Sequence, residues 1–214
     1  MKYEIQGKPF PVLIVNLNGG EGIDCQNGAM IWMSQNMKMQ TKAGGIGKVF
    51  TKALTGEAIF SNTYVAQEGP GMIALNGNTP GDIIPIELAG NEIICQKTAY
   101  LASTPGIELS MWTQKKISAG LVGGEGFILQ KVSGKGTVFF EICGSVVQYT
   151  LAPGQTILVD TGYMAMMDSS CQMEVVKVGG IKNSLLGGEG FFNTKITGPG
   201  RVWLQTNRHL ALPG

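Results

Sequence analysis

Leu17-Asn18-Gly19-Gly20-Glu21-Gly22-Ile23-Asp24-Cys25-Gln26-Asn27-Gly28-Ala29-Met30-Ile31-Trp32-Met33-Ser34 reads as a turn, a strand, a second glycine and another strand. The same order returns at Leu151-Ala152-Pro153-Gly154-Gln155 and ends on Gly162-Tyr163-Met164-Ala165-Met166-Met167-Asp168. The two glycines stand eight residues apart in both stretches. A looser copy begins at Thr79-Pro80-Gly81-Asp82 and ends on Ala99-Tyr100-Leu101-Ala102-Ser103. Glycine gives such turns the positive φ they demand, so the equal spacing has a physical reason.

A second unit alternates with the first. It opens on Gly44-Gly45-Ile46-Gly47, Gly123-Gly124-Glu125-Gly126 and Gly187-Gly188-Glu189-Gly190. A glycine turn is expected next, at Thr55-Gly56-Glu57, Ser133-Gly134-Lys135-Gly136 and Thr197-Gly198-Pro199-Gly200. An apolar strand then follows, as in Thr137-Val138-Phe139-Phe140 and Arg201-Val202-Trp203-Leu204. Three tandem β repeats of about 70 residues result, over 1–70, 71–145 and 146–214. Between turns the chain alternates: Met37, Met39 and Thr41 oppose Lys38, Gln40 and Lys42, and Phe191, Asn193 and Lys195 oppose Phe192, Thr194 and Ile196. Ile46, Val49, Phe50, Ala53 and Leu54 follow helical spacing instead, which predicts a short helix over 46–54.

Composition supports an all-β chain. Of 214 residues, 43% are hydrophobic, 32 are glycine and only 14% are charged, against about 25% in ordinary domains. The net charge of +1 lacks the basic excess with which proteins neutralise phosphate, so nucleic acid is not an expected partner. Lys115-Lys116 is the nearest approach to a basic cluster. Near-neutral charge also leaves self-association unopposed. Cys25, Cys95, Cys143 and Cys171 are scattered and read as buried thiols of a reducing cytoplasm. Met1-Lys2-Tyr3-Glu4-Ile5-Gln6-Gly7 has no apolar signal region, and no stretch reaches the roughly 20 apolar residues of a membrane span.

Candidate chemistry is sparse. His209 is the single histidine, without a nucleophile or an orienting partner in any motif, and reads as a surface residue. Scattered Cys and one His give no zinc spacing. Met30, Met33, Met37 and Met39, with Met164, Met166 and Met167, offer thioethers for a soft metal; their matching places in the repeats suit core filler better. The Gly-rich segments match no phosphate loop, and Glu125 and Glu189 stand where such a loop needs bare amides. Trp32, Trp112 and Trp203 lie in apolar strands, where core or interface is the default over base stacking. No catalytic, cofactor-binding or metal residue is therefore assigned, and no cofactor is expected.

Gly28 to Ser34, Gly44 to Phe60 with Leu54-Thr55-Gly56-Glu57, Pro80-Gly81-Asp82-Ile83-Ile84-Pro85-Ile86, and Gly187 to Phe191 through Gly198-Pro199-Gly200-Arg201-Val202-Trp203-Leu204-Gln205 carry a resemblance. The chain resembles the uncharacterised family named after the mitochondrial biogenesis protein of the "altered inheritance of mitochondria" set. The resemblance implies a fold similar to the tryptophan RNA-binding attenuator protein, with short double-stranded β-helix domains joined in rings. Three such domains per chain imply a nine-domain ring as a homotrimer. The family brings no catalytic residues, and the attenuator protein's ligand positions have no counterparts here.

The expected protein is a non-enzymatic, ring-forming, cytoplasmic β scaffold that binds a protein or the membrane surface. The alternative is a small-molecule or RNA-binding ring, by analogy of fold alone. A third class, an enzyme on a double-stranded β-helix, needs inward His and carboxylate ligands that a single C-terminal His does not supply.

Overall fold

The computed structural model describes residues 1–41, 61–77, 79–112, 128–177 and 192–208. These form an all-β structure, as the glycine content and the alternating segments predict. In chain order the strands are β1 (Lys2–Gln6), β2 (Val12–Leu17), β3 (Gly22–Gln26), β4 (Met30–Met33), β5 (Met37–Thr41), β6 (Ser61–Ala66) and β7 (Gly71–Asn76). They continue with β8 (Gly81–Ala89), β9 (Ile93–Gln96), β10 (Tyr100–Ser103), β11 (Ile107–Met111) and β12 (Leu129–Cys143). The last are β13 (Val146–Leu151), β14 (Thr156–Asp160), β15 (Met164–Asp168), β16 (Gln172–Lys177), β17 (Phe192–Thr197) and β18 (Gly200–Gln205). The helix expected over 46–54 and all three Gly-Gly-x-Gly segments lie outside the described residues.

The strand pairs are antiparallel, and one scheme of pairing occurs three times. β2 and β4 flank β7, β8 and β10 flank the C-terminal part of β12, and β13 and β15 flank β18. Likewise β3 and β5 flank β6, β9 and β11 flank the N-terminal part of β12, and β14 and β16 flank β17. Two further pairings join one set to the next: β10 with β3 and β15 with β9. β1 pairs with the outer edge of β2. By these pairings β7 belongs with β2 and β4, although the expected division at 70/71 falls in front of it.

Two expected turns differ. Ser133-Gly134-Lys135-Gly136 lies inside the continuous strand β12. Gly134 and Gly136 take φ of +117° and +144°, which bends the strand as it passes from β9 and β11 to β8 and β10. A Cβ on Gly134 would stand 2.2 Å from the Gly106 carbonyl oxygen, so only glycine lets the two backbones meet. Thr79-Pro80-Gly81-Asp82 leads into β8 and does not form the turn between β8 and β9; that turn contains Gly90, and Asn91 Oδ1 accepts the Ala89 N–H at 2.9 Å. The other two turns match each other closely. Glu21 carboxylate and Gln155 Oε1 each accept a backbone N–H three residues back, from Asn18 at 2.9 Å and Ala152 at 3.0 Å.

Three apolar clusters fill the interior. The first joins Leu13, Val15, Ile23, Cys25 and Met37 to Leu101, Ala102 and Phe139 of the next set. The second joins Ile93, Cys95, Ile107 and Val132 to Ala165, Met166 and Trp203. The third holds Val159, Met164, Cys171 and Ile196. Period-2 alternation puts Thr194 and Ile196 inward on β17. Met37 is buried as expected, whereas Met39 on the same face is exposed.

Candidate functional site

Two open sheet edges are the outstanding surface of this chain. Among the described residues β4 is bonded on one side only, by β7, and β14 on one side only, by β17. They end a four-stranded sheet of order β1-β2-β7-β4 and a three-stranded sheet of order β14-β17-β16. An unpaired edge leaves a row of amide and carbonyl groups ready to bond another strand.

Both edges are apolar. On β4, Ile31 is 42% exposed, Trp32 49% and Met33 37%. On β14, Leu158 is 62% exposed beside the buried Val159. Their counterparts in the other sets are covered. β4, β10 and β15 each have a register break after the first residue, between Met30 and Trp32, Tyr100 and Ala102, and Met164 and Met166. Aligned on that break, Trp32 corresponds to Ala102 and Met166, and Met33 to Ser103 and Met167; Ala102, Met166, Ser103 and Met167 are all buried. β3, β9 and β14 end on Gln26, Gln96 and Asp160, so Val159 corresponds to Cys25 and Cys95.

The internal junctions are polar at one end. Glu141, buried on β12, accepts the Thr79 N–H and Oγ1–H at 2.9 Å each and the Gln26 amide at 3.4 Å. At the next junction the Gln96 amide donates to the Met164 carbonyl at 2.5 Å, and Gln205 donates to the Gly162 carbonyl at 2.9 Å. Gln205 Oε1 also accepts the Cys143 N–H at 3.1 Å. Such fully bonded buried groups fix the register of neighbouring strands, because any slip strands them without partners. Tyr100 adds a bond of 2.9 Å between its hydroxyl and Ser103 Oγ beside buried Asp24, whose carboxylate takes the Thr63 hydroxyl at 2.5 Å.

The residues singled out from sequence separate clearly. All four cysteines are free and buried. Burial pushes the Cys25 and Cys95 thiols up to about 12, which removes the thiolate that reactivity needs. Met164, Met166 and Met167 are core; Met33 and Met39 are exposed, so the methionines do not share one environment. Trp203 is buried with the Arg201 guanidinium 4.8 Å above its ring, Trp112 packs against the third cluster, and Trp32 lies on the open edge. His209, Lys115, Lys116, Glu125 and Glu189 lie outside the described residues. Among the described residues no group of three or more His, Cys, Asp or Glu is placed to hold a metal, and no helix is long and apolar enough to cross a membrane. Sequence reasoning missed the role of Gln26, Gln96 and Glu141; the recurrence of Gln26 and Gln96 at the ends of β3 and β9 was the available signal.

The comparisons agree with one another. The family model described as mitochondrial biogenesis AIM24 matches residues 3–207. An uncharacterised protein of Streptococcus pyogenes serotype M6 is 28% identical over 206 residues, which cover 92% of this chain and 82% of that protein. The crystal structure of a Streptococcus pyogenes protein superposes with a TM-score of 0.79 at 26% identity, covering 97% of this chain and 94% of that one.

Proposed function

From the premise that this chain belongs to the mitochondrial biogenesis AIM24 family, we propose that it is a non-enzymatic scaffold built by head-to-tail self-assembly. In this reading the chain consists of three short double-stranded β-helix modules, and three copies close into a nine-module ring. The observation that carries the reading is the pair of half-sheets, β2-β7-β4 of the first set and β14-β17-β16 of the third, which among the described residues no pairing joins to another set. Inside the chain, each equivalent half is completed by its neighbour through β10 with β3 or β15 with β9. A chain that ends on two complementary halves offers each copy to the next, and closure gives β4 and β14 each a second neighbour.

The ring presents its remaining surface to a protein or membrane-surface partner. Val147 and Tyr149 on β13 and Phe10 are exposed apolar side chains available for such contact. Free, buried cysteines support residence in the cytoplasm. The test is a sedimentation series on the native chain and on Met33→Lys, which puts a charge on the open edge. The native chain is expected to assemble at micromolar concentration and the variant to stay monomeric. Equal monomers in both would reject the scaffold assembly.

A further inference from the structure

We infer that Trp32 of one copy is the plug of the third core of a second copy, with Trp32 opposite Val159 and Met33 opposite Leu158. The inference rests on the head-to-tail reading above and fixes its contact residue by residue. The internal junctions supply the register. Ala102 pairs with Cys25 and Ser103 with Asp24; Met166 pairs with Cys95 and Met167 with Ile94. Carrying this register to the open strands sets Trp32 on Val159 and Met33 on Leu158.

Side-chain volume points to the same seat. At each junction the position of Trp32 stands beside a cross-strand partner within its own sheet. Ala102 is beside Phe139, Met166 beside Trp203, and Trp32 beside Ala74. Each pair carries one bulky aromatic, on one strand or on the other. Phe139 enters the first cluster with Ala102, and Trp203 enters the second with Met166. Ala74 is too small for that role, so the aromatic of the third pair is Trp32, which is half exposed in the single chain. Close packing demands that such volume be conserved across equivalent positions. Val159 of the third cluster lies on the open strand β14 itself, so a side chain set opposite it would sit against that cluster.

The test uses the full chain with Met33→Cys and Leu158→Cys together, and a control with Met33→Cys and Thr156→Cys, offset by two residues. Mild oxidation and a non-reducing gel report links between chains, and mass measurement at the same concentration reports association. Expected are links for the first pair and not for the control, and a rise of roughly 30-fold or more in the half-assembly concentration of Trp32→Ala, as for a buried aromatic anchor. Association without the Met33–Leu158 link, or unchanged on Trp32→Ala, overturns this contact and leaves self-assembly standing. Monomers with no link overturn both.

Discussion

Asp168 holds Arg201 by its backbone as well as by its side chain. Its Oδ2 accepts the Arg201 N–H at 2.8 Å and the guanidinium Nε–H at 3.0 Å, while Oδ1 accepts from Nη2 at 3.0 Å. The backbone bond recurs in the other sets: Ser34 Oγ accepts the Met72 N–H and Thr104 Oγ1 accepts the Thr137 N–H, each at 3.0 Å. A polar side chain at the end of β15, or just after β4 or β10, thus ties that strand to β18, β7 or β12. The Asp168 hydrogen bond also raises the Arg201 pKa.

Asp168→Ala is expected to lower stability by about 2 kcal/mol, since it strands a backbone N–H as well as breaking an ion pair. The ion pair adds little by itself because the Arg201 side chain is 41% exposed. Ser34→Ala, with a neutral acceptor, is expected to cost about 1 kcal/mol. Denaturant unfolding of both variants measures the difference, and an equal loss would contradict it.

Gly81→Ala and Gly154→Ala separate two uses of glycine. A Cβ on Gly81 would fall 1.7 Å from the Ile142 carbonyl oxygen, so β8 and β12 must part. Gly154 has φ of +76° with nothing within 4 Å of its Cβ position. The first variant is expected to lose about 3 kcal/mol or more and the second about 1–2 kcal/mol, read from thermal midpoints.

Alkaline pH is expected to unfold the chain early. Burial raises Cys25 and Cys95 from the ordinary thiol value near 9 to about 12, and raises Tyr100 as well. The folded state keeps protons that the unfolded state releases, so stability is whole below pH 9 and falls as pH rises toward 12. Denaturant midpoints between pH 8 and 11 measure the fall. Cys95→Ala is expected to flatten it, at the cost of a small cavity.

Glu141→Ala is expected to cost about 2–3 kcal/mol, because Thr79 N–H and the Gln26 amide lose their acceptor inside the first junction. Glu141→Gln keeps an acceptor oxygen and is expected to lose less than half as much. Urea unfolding of the pair checks this order.

The twin turns were legible because their residues carry the geometry themselves: Gly20 and Gly154 supply positive φ, and Glu21 and Gln155 cap their own turns. All-β architecture followed from alternation and glycine, and family membership from motifs along the chain. The turn after β8 was misplaced because Pro80-Gly81 repeats the Pro153-Gly154 pair of the third set, whereas Gly90 has no proline before it. Gly134 and Gly136 read as a turn because positive φ serves a bent strand equally well. Nor does sequence distinguish Trp32 from Trp203. Both sit in apolar strands, and only the presence or absence of a neighbouring strand exposes one and buries the other.

Native mass spectrometry of the gently purified chain at micromolar concentration tests the assembly most directly. The account predicts a single species of three times the 22.7 kDa chain mass. A sole species at one chain mass would contradict it.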